Sequence, residues 1–319
     1  MKTLRSLHSW LFGFGSPVTI GVFRMALGTV AFINLAMVAI DFEAWFTERG
    51  FVPVALTERW SGEVWRLSIL QNVTNDNVTA AFYALTMLAA LCTALGLFSR
   101  VSSVALILGL VSLHHRNPDI LHSGDTLMRA MAFYVALSPS GAACSLDRLI
   151  ALRRGSAPPV PPDVSLWPQR LMQVQLAILY FTTVWHKSFG DWWLNGTATW
   201  YTGQLEEFDR FLTPAFLDRQ PFIAATTYGS LLIELALATL VFARPMRKWV
   251  LLAGVALHAG IEYRMNIPLF GLIVTSCYIA HYEGHEVSAW GKRMGERIAG
   301  LRTKIAAWRG TAFVAEEQR

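Results

Sequence analysis

The stretch of this chain richest in reactive side chains is Trp185-His186-Lys187-Ser188-Phe189-Gly190-Asp191-Trp192-Trp193-Leu194-Asn195-Gly196-Thr197. Lys187 stands where an apolar helix gives way to an aromatic segment. A lysine partly withdrawn from water beside aromatic rings holds its proton less firmly and can serve as a base. The plain alternative is an interface anchor, with the lysine snorkelling and the tryptophans belting a membrane.

Other ionisable groups fall inside apolar runs, where they are costly and therefore functional-site candidates. Glu234 lies nine positions before Ala243, and His258 nine positions after Trp249. At about 1.5 Å per residue, both sit roughly 13–14 Å from the same end of consecutive antiparallel helices. Equal depth predicts a Glu234–His258 pair, either a structural hydrogen bond or one that raises the basicity of the imidazole. Arg24, early in the first apolar run, is expected to snorkel to the near surface, with Glu234 as its other candidate partner. Asp125 and Arg129 are four apart and predict an intrahelical ion pair. His122 precedes them at the mouth of that helix, after a turn signalled by Asn117 and Pro118. His114, His115 and His122 lack helical ligand spacing and no acid or thiol set completes a site, so no metal is expected. Cys92, Cys144 and Cys277 form no CxxC pair, zinc spacing or disulfide framework.

These side chains need elements to hold them, and the composition says which. Of 319 residues, 54% are apolar and only 15% charged, with mean hydropathy +0.39. Soluble domains carry about 45–50% apolar and ~25% charged residues. A soluble enzyme, a disordered chain and a coiled coil are thereby excluded. The net charge of +5 is not set in any nucleic-acid motif. The bilayer, not nucleic acid, is the expected partner.

A spanning helix needs about 20 apolar residues. Eight stretches qualify: 18–40, 78–98, 101–113, 121–138, 166–185, 222–243, 249–263 and 267–282. The third is short and can extend through Ser99 and His114. The last two are separated by Arg264, Met265 and Asn266 alone and require a tight hairpin. The expected fold is an all-α, polytopic integral membrane bundle of about eight transmembrane helices. With the N-terminus in the cytoplasm, Lys2, Arg5, Arg100, Arg148, Arg153, Arg154, Arg244, Arg247 and Lys248 fall inside. Most acids fall outside, among them Asp41, Glu43, Glu48, Glu63, Asp76, Glu206, Glu207 and Asp209. That satisfies the positive-inside rule and returns the C-terminus to the cytoplasm of a plasma (inner) membrane protein. The Ala-Pro-Pro-Val-Pro-Pro run inside 155–165 reads as an extended linker between two four-helix halves of one unit, 1–284. From 285 to 319, Val287, Trp290, Met294, Ile298, Leu301, Ile305 and Trp308 recur at steps of three and four. Lys292, Arg293, Arg297, Arg302, Lys304 and Arg309 surround them. This is a basic amphipathic helix suited to an anionic cytoplasmic surface.

Several pieces, in order, carry a resemblance. They are GVFRMALG (21–28), FTERGFVP (46–53), NPDILHSGDTLMR (117–129), ALSP (136–139) and CSLD (144–147). Then follow WHKSFGDWWLNGTATWY (185–201), LLIELAL (231–237) and LHAGIEYRMNIPLFGLI (257–273). Together they resemble the horizontally transferred transmembrane (HTTM) domain proteins of the vitamin K-dependent γ-carboxylase-like superfamily. The likeness runs from about Ser16 to Tyr282. It implies a catalytic lysine at Lys187, in a pattern with Asp191 and Trp192. It also implies site histidines at His122 and at His258, the latter ahead of Asn266, Leu269 and Phe270. The cofactor implied is a naphthoquinol, menaquinol or vitamin K hydroquinone. Its deprotonated form would react with oxygen to give a strong base that removes a glutamate γ-proton, and carbon dioxide would trap the carbanion. The substrate class would be a secreted peptide or protein. About 37 residues follow Tyr282. They read as a surface helix and not as the large extracytoplasmic region of the carboxylases, so a quinol-dependent site on another substrate is the expectation. The alternative is a non-catalytic membrane factor for export, maturation or immunity of a secreted peptide, similar to sporulation-delaying protein B.

Overall fold

The computed structural model describes residues 2–61, 66–206, 210–212 and 214–317, with side chains described over 6–60 and from 66 to 303 within those limits. Glu63, Glu207 and Asp209 lie outside the described residues, and so do the side chains of Lys2, Arg5, Lys304, Ile305, Trp308 and Arg309. The described residues are predominantly helical. Its helices are α1 (Lys2–Phe12), α2 (Val18–Val38), α3 (Phe42–Phe46), α4 (Val54–Ser61), α5 (Asp76–Leu95), α6 (Ser99–Arg116), α7 (Ser123–Leu137) and α8 (Leu146–Arg153). After the linker come α9 (Trp167–Lys187), α10 (Asp191–Leu194), α11 (Ala198–Thr202), α12 (Gln220–Ala238), α13 (Arg244–Arg264), α14 (Phe270–Cys277) and α15 (Gly284–Glu317). Two two-residue strands, β1 (Phe14–Gly15) and β2 (Val164–Ser165), pair antiparallel and tie the proline-rich linker to the start of α2.

Each of the eight expected stretches is helical. Three segments are long and apolar enough to cross a membrane by length and composition: Val18–Phe46, Asp76–Leu95 and Gln220–Ala238. The expectation of eight crossings is therefore not matched one for one among the described residues. The reason lies in the other helices. α9 and α13 carry Gln169, Arg170, Gln173, Arg244, Arg247 and Lys248, and α14 is only eight residues long before it tightens into a 3-10 turn at Tyr278–His281. The two glutamines of α9 are spent on the neighbouring end of the α14 segment. Gln169 donates to the carbonyls of Ala280 (2.9 Å) and Tyr282 (3.1 Å), and Gln173 donates to that of Ala280 (2.7 Å).

α2, α5, α6 and α7 pack in sequence order, as do α9, α12, α13 and α14. α7 and α14 form the seam between the halves, and one core draws Phe23, Leu110, Met131, Met172, Leu237 and Ile273 from both sides of the linker.

Contacts at the helix ends show that these eight helices alternate in direction. At one end, Arg24 of α2 is fully buried and donates to the carbonyls of Thr93, Ala94 (3.0 Å), Ser140 (3.2 Å) and Cys144 (2.5 Å). The expectation of a snorkelling Arg24, or one paired with Glu234, is thus corrected. Its fork of donors caps the carbonyls left over where α5 ends and the chain turns after α7. Gly96 closes α5 with φ of +69° and leaves room for the guanidinium, whose Cζ would lie 2.7 Å from an added Cβ. At the other end, Arg116 of α6 donates to the carbonyl of Val52 (2.7 Å) and to Glu48 Oε1 (3.0 Å), while Glu48 Oε1 accepts from Val54 N at the start of α4 (3.0 Å).

Asp147 of α8 caps α6 from outside it, accepting from Phe98 N (2.8 Å), Ser99 N (2.7 Å) and Ser99 Oγ (2.7 Å). Burial works against its charge, but the hydrogen bonds from Ser99 and Phe98, with Arg24 nearby, outweigh it and hold the carboxyl below its usual range. A depressed folded-state pKa stabilises fully above the unfolded value, and that contribution is lost as pH falls through the folded value. We expect no loss from this group between neutrality and about pH 4, and a fall in unfolding midpoint below it. Asp147→Asn should remove that acid-side component and lower stability by about 1 kcal/mol at neutral pH, read by tryptophan fluorescence in detergent.

Candidate functional site

α9 ends at Lys187, where a cation is favoured by the exposed carbonyls of the last turn. Gly190 N donates to Lys187 O (3.0 Å), and the chain reverses there. The short α10 then brings the Trp193 ring back over Lys187, with Nζ 4.3 Å from the ring centroid. Asn195-Gly196 makes the next turn, in which Gly196 adopts φ of +75°. Tyr228 of α12 fastens this turn by donating to Leu194 O (2.8 Å). Trp192 turns the other way and stacks on Tyr201 at 4.1 Å.

Lys187 Nζ donates to both carboxylate oxygens of Glu234, at 2.7 and 2.9 Å. The expected Glu234–His258 pair is therefore not formed. α9 and not α13 supplies the partner, because Lys187 reaches inward along the α9–α12 interface. The pair is asymmetric: the Lys187 side chain keeps 22% of its exposure and Glu234 only 7%. Its open side forms the wall of a cleft of about 510 Å³, lined by His186, Lys187, Gly190, Asp191, Trp192 and Trp193. Asp191 lines the cleft without bonding to Lys187, and Asn266 lies exposed at the turn between α13 and α14.

His258 faces inward, buried. Its Nε2 lies 2.9 Å from Tyr180 Oη, which lies 2.7 Å from Tyr278 Oη. His258 Nδ1 is buried with no hydrogen-bond partner among the described residues. Tyr180 precedes Lys187 by seven residues, two turns earlier on α9, so one helix face carries both. Gly254 gives the Tyr278 hydroxyl its space, since an added Cβ would stand 2.6 Å from that oxygen.

His122 is the N-cap of α7. Its Nδ1 accepts from Gly124 N (3.0 Å), so Nε2 carries the proton and donates to Pro268 O (3.1 Å). Asp125 completes the box by accepting from His122 N (3.0 Å), and it also accepts from Asn34 (3.3 Å). The Asp125–Arg129 ion pair is thus replaced by a capping box, and Arg129 reaches Thr126 Oγ1 (3.4 Å) instead. Phe270 lies edge-on to both imidazoles, 5.4 Å from His258 and 6.2 Å from His122. Neither histidine lines the Lys187 cleft. Among the described residues no three His, Cys, Asp or Glu side chains gather as a metal site.

Tyr180 and Tyr278 were not singled out by the sequence, and Trp193 and Phe270 were named there without these contacts. Tyr180 was legible in part, as an i−7 neighbour of Lys187; the contacts of the others needed the packing.

A helical bundle with buried ion pairs and three membrane-length apolar segments defines a helical membrane protein. The HTTM domain matches residues 15–282, so the chain belongs to the HTTM domain family, within the vitamin K carboxylase-like membrane proteins. It is also similar to Uncharacterized protein YitO of Bacillus subtilis (strain 168), at 26% identity over 118 residues. That match covers 35% of this chain and 38% of the relative. No solved structure matches.

The pair invites a double-substitution test. Removing one partner of a fully buried ion pair costs about 3–5 kcal/mol, and the partial exposure of Lys187 makes the expected loss smaller. Lys187→Met or Glu234→Gln should each lower the unfolding midpoint in detergent. The double Lys187→Met/Glu234→Met variant should recover most of it, with less recovery if the pair were held apart by solvent.

Proposed function

We propose that this protein is a quinol-dependent membrane enzyme of the oxidation or carboxylation type, with Lys187 at its proton-accepting centre. The observation that carries this reading is the ammonium of Lys187 held between the Glu234 carboxylate and the Trp193 ring, on the wall of a cleft. A cleft of about 510 Å³ is of small-molecule size. Its walls suit a flat aromatic diol: indole faces from Trp192 and Trp193 for the ring system, with Lys187, His186 and Asp191 for the hydroxyls. A bound naphthoquinol would supply an acidic hydroxyl and, with oxygen, the oxidising power for base formation.

The chain's own part is proton handling. Lys187 Nζ can pass a proton to Glu234 Oε1 across 2.7 Å and take another from the cleft side. The pair then ends as ammonium and carboxylic acid, one proton richer, with the positive charge left facing the cleft. Trp193 shields the ammonium from one side and strengthens its field. The second substrate, a secreted peptide or protein, would have to enter from the same open face, which we place outside the plasma membrane.

A second reading has its own observation. Both ring nitrogens of His122 are engaged and Lys187 is tied to Glu234, as in a static tie. Such a bundle would serve as a non-catalytic factor for export, maturation or immunity of a secreted peptide.

The purified protein, reconstituted with reduced menaquinone and oxygen, should yield quinone epoxide detectable by mass spectrometry. Lys187→Ala should reduce the rate by at least about 100-fold and Glu234→Gln by a similar factor. Absence of epoxide with every naphthoquinol tried, or full turnover in Lys187→Ala, would discard the enzyme reading. Retained biological function in Lys187→Ala, with co-purification of a small secreted partner, would favour the second.

A further inference from the structure

One end of the bundle collects peripheral helices whose apolar side chains remain uncovered. The start of α2, the ends of α5 and α7, the starts of α6 and α9, and the end of α14 all meet there through Arg24, Asp147 and Gln169. Three elements outside the bundle emerge at that same end. α1 packs on α9 and touches Phe242 through Trp10, at 6.3 Å between rings. α8 is fixed by Asp147 to the start of α6. α15 begins with Gly284 against Ser16, buries Val287 and sets Trp290 edge-on to Tyr282 at 4.3 Å.

Beyond these anchor points nothing among the described residues covers them. Phe12 is 49% exposed and Phe14 73%, Ile150 and Leu152 are each 38%, and Trp290 and Met294 are 40% and 58%. From Ala289 to Thr303 every described residue of α15 is exposed. The charge among these apolar groups is predominantly positive. Arg153 and Arg154 stand at the end of α8, and α15 carries Lys292, Arg293, Arg297 and Arg302 against Glu296 as the acid between Ala289 and Thr303. Apolar side chains flanked by cations, at one end of a membrane protein, match an anionic lipid surface in both chemistry and location.

We propose that α1, α8 and α15 together form an interfacial platform that binds the anionic phospholipid headgroups of the leaflet at this end of the bundle. Each basic residue near such a surface contributes, and the apolar side chains enter the headgroup boundary. The contribution of the platform is independent of chemistry at Lys187. It assigns this end, and with it both described chain termini, to the leaflet richer in anionic lipid.

The full-length protein would be placed in nanodiscs of phosphatidylcholine alone, or of phosphatidylcholine and phosphatidylglycerol in equal parts. Amide hydrogen exchange would then be followed by mass spectrometry. Peptides covering 6–15 and 289–303 should exchange at least about tenfold more slowly in the anionic discs, and high salt should reverse the difference. Lys292→Glu/Arg293→Glu/Arg297→Glu alters exposed positions and should abolish the protection of 289–303, with core helices such as α5 unchanged as the control for folding. Equal exchange in both lipids would overturn the proposal. Protection that rises with protein concentration in either lipid would overturn it in favour of a second copy of the chain.

Discussion

An ionised side chain withdrawn from water must be met by dipoles or by an opposite charge, or the helices around it cannot close. Arg24, Arg116 and Lys187 meet this demand in three ways. Arg24 spends its planar fork on four backbone carbonyls. Arg116 divides its donors between backbone carbonyls and Glu48. Lys187, a point charge with three donors, is met by a single carboxylate and an indole face. Arginine suits the first two sites because its rigid geometry can satisfy several fixed acceptors at once.

The two arginines act as staples for helix ends. Arg24 joins α2, the end of α5 and the turn after α7, while Asp147 holds the start of α6 beside it. Arg116 joins the end of α6 to the loops around Phe46 and Val52. With both ends tied, the α2–α7 half offers α14 a firm surface. The second half builds the cleft from the end of α9 and from α10. Lys187 differs from the arginines in one physical respect: its side chain stays partly exposed and lines the cleft. A cation sealed inside the bundle is structural, whereas one on a cleft wall can still act on something else.

The inner cluster is connected to this site through α9 and by aromatic packing. Tyr180 and Lys187 share a face of that helix, so any shift of α9 moves both. Phe270 bridges the space between His258 and His122, and the turn that carries Phe270 also supplies the Pro268 carbonyl to His122. The two histidines are thereby held to α14 from opposite sides while remaining off the cleft wall.

Helix positions, the α13–α14 hairpin and the alternation of direction were legible in the sequence, because apolar period and charge placement are local or additive properties. The place of Glu234 inside a helix was legible for the same reason. Its partner was not, since depth leaves rotation about the helix axis undetermined and several polar groups shared one level. Asp125 shows the same limit at shorter range. Four-residue spacing favoured Arg129, yet the free amide groups at the start of α7 took the carboxylate first. The sequence by itself determined that this chain is an apolar helical membrane protein with charges it must hide. Only the tertiary structure decided which charge hides behind which, because that depends on how whole helices turn toward one another.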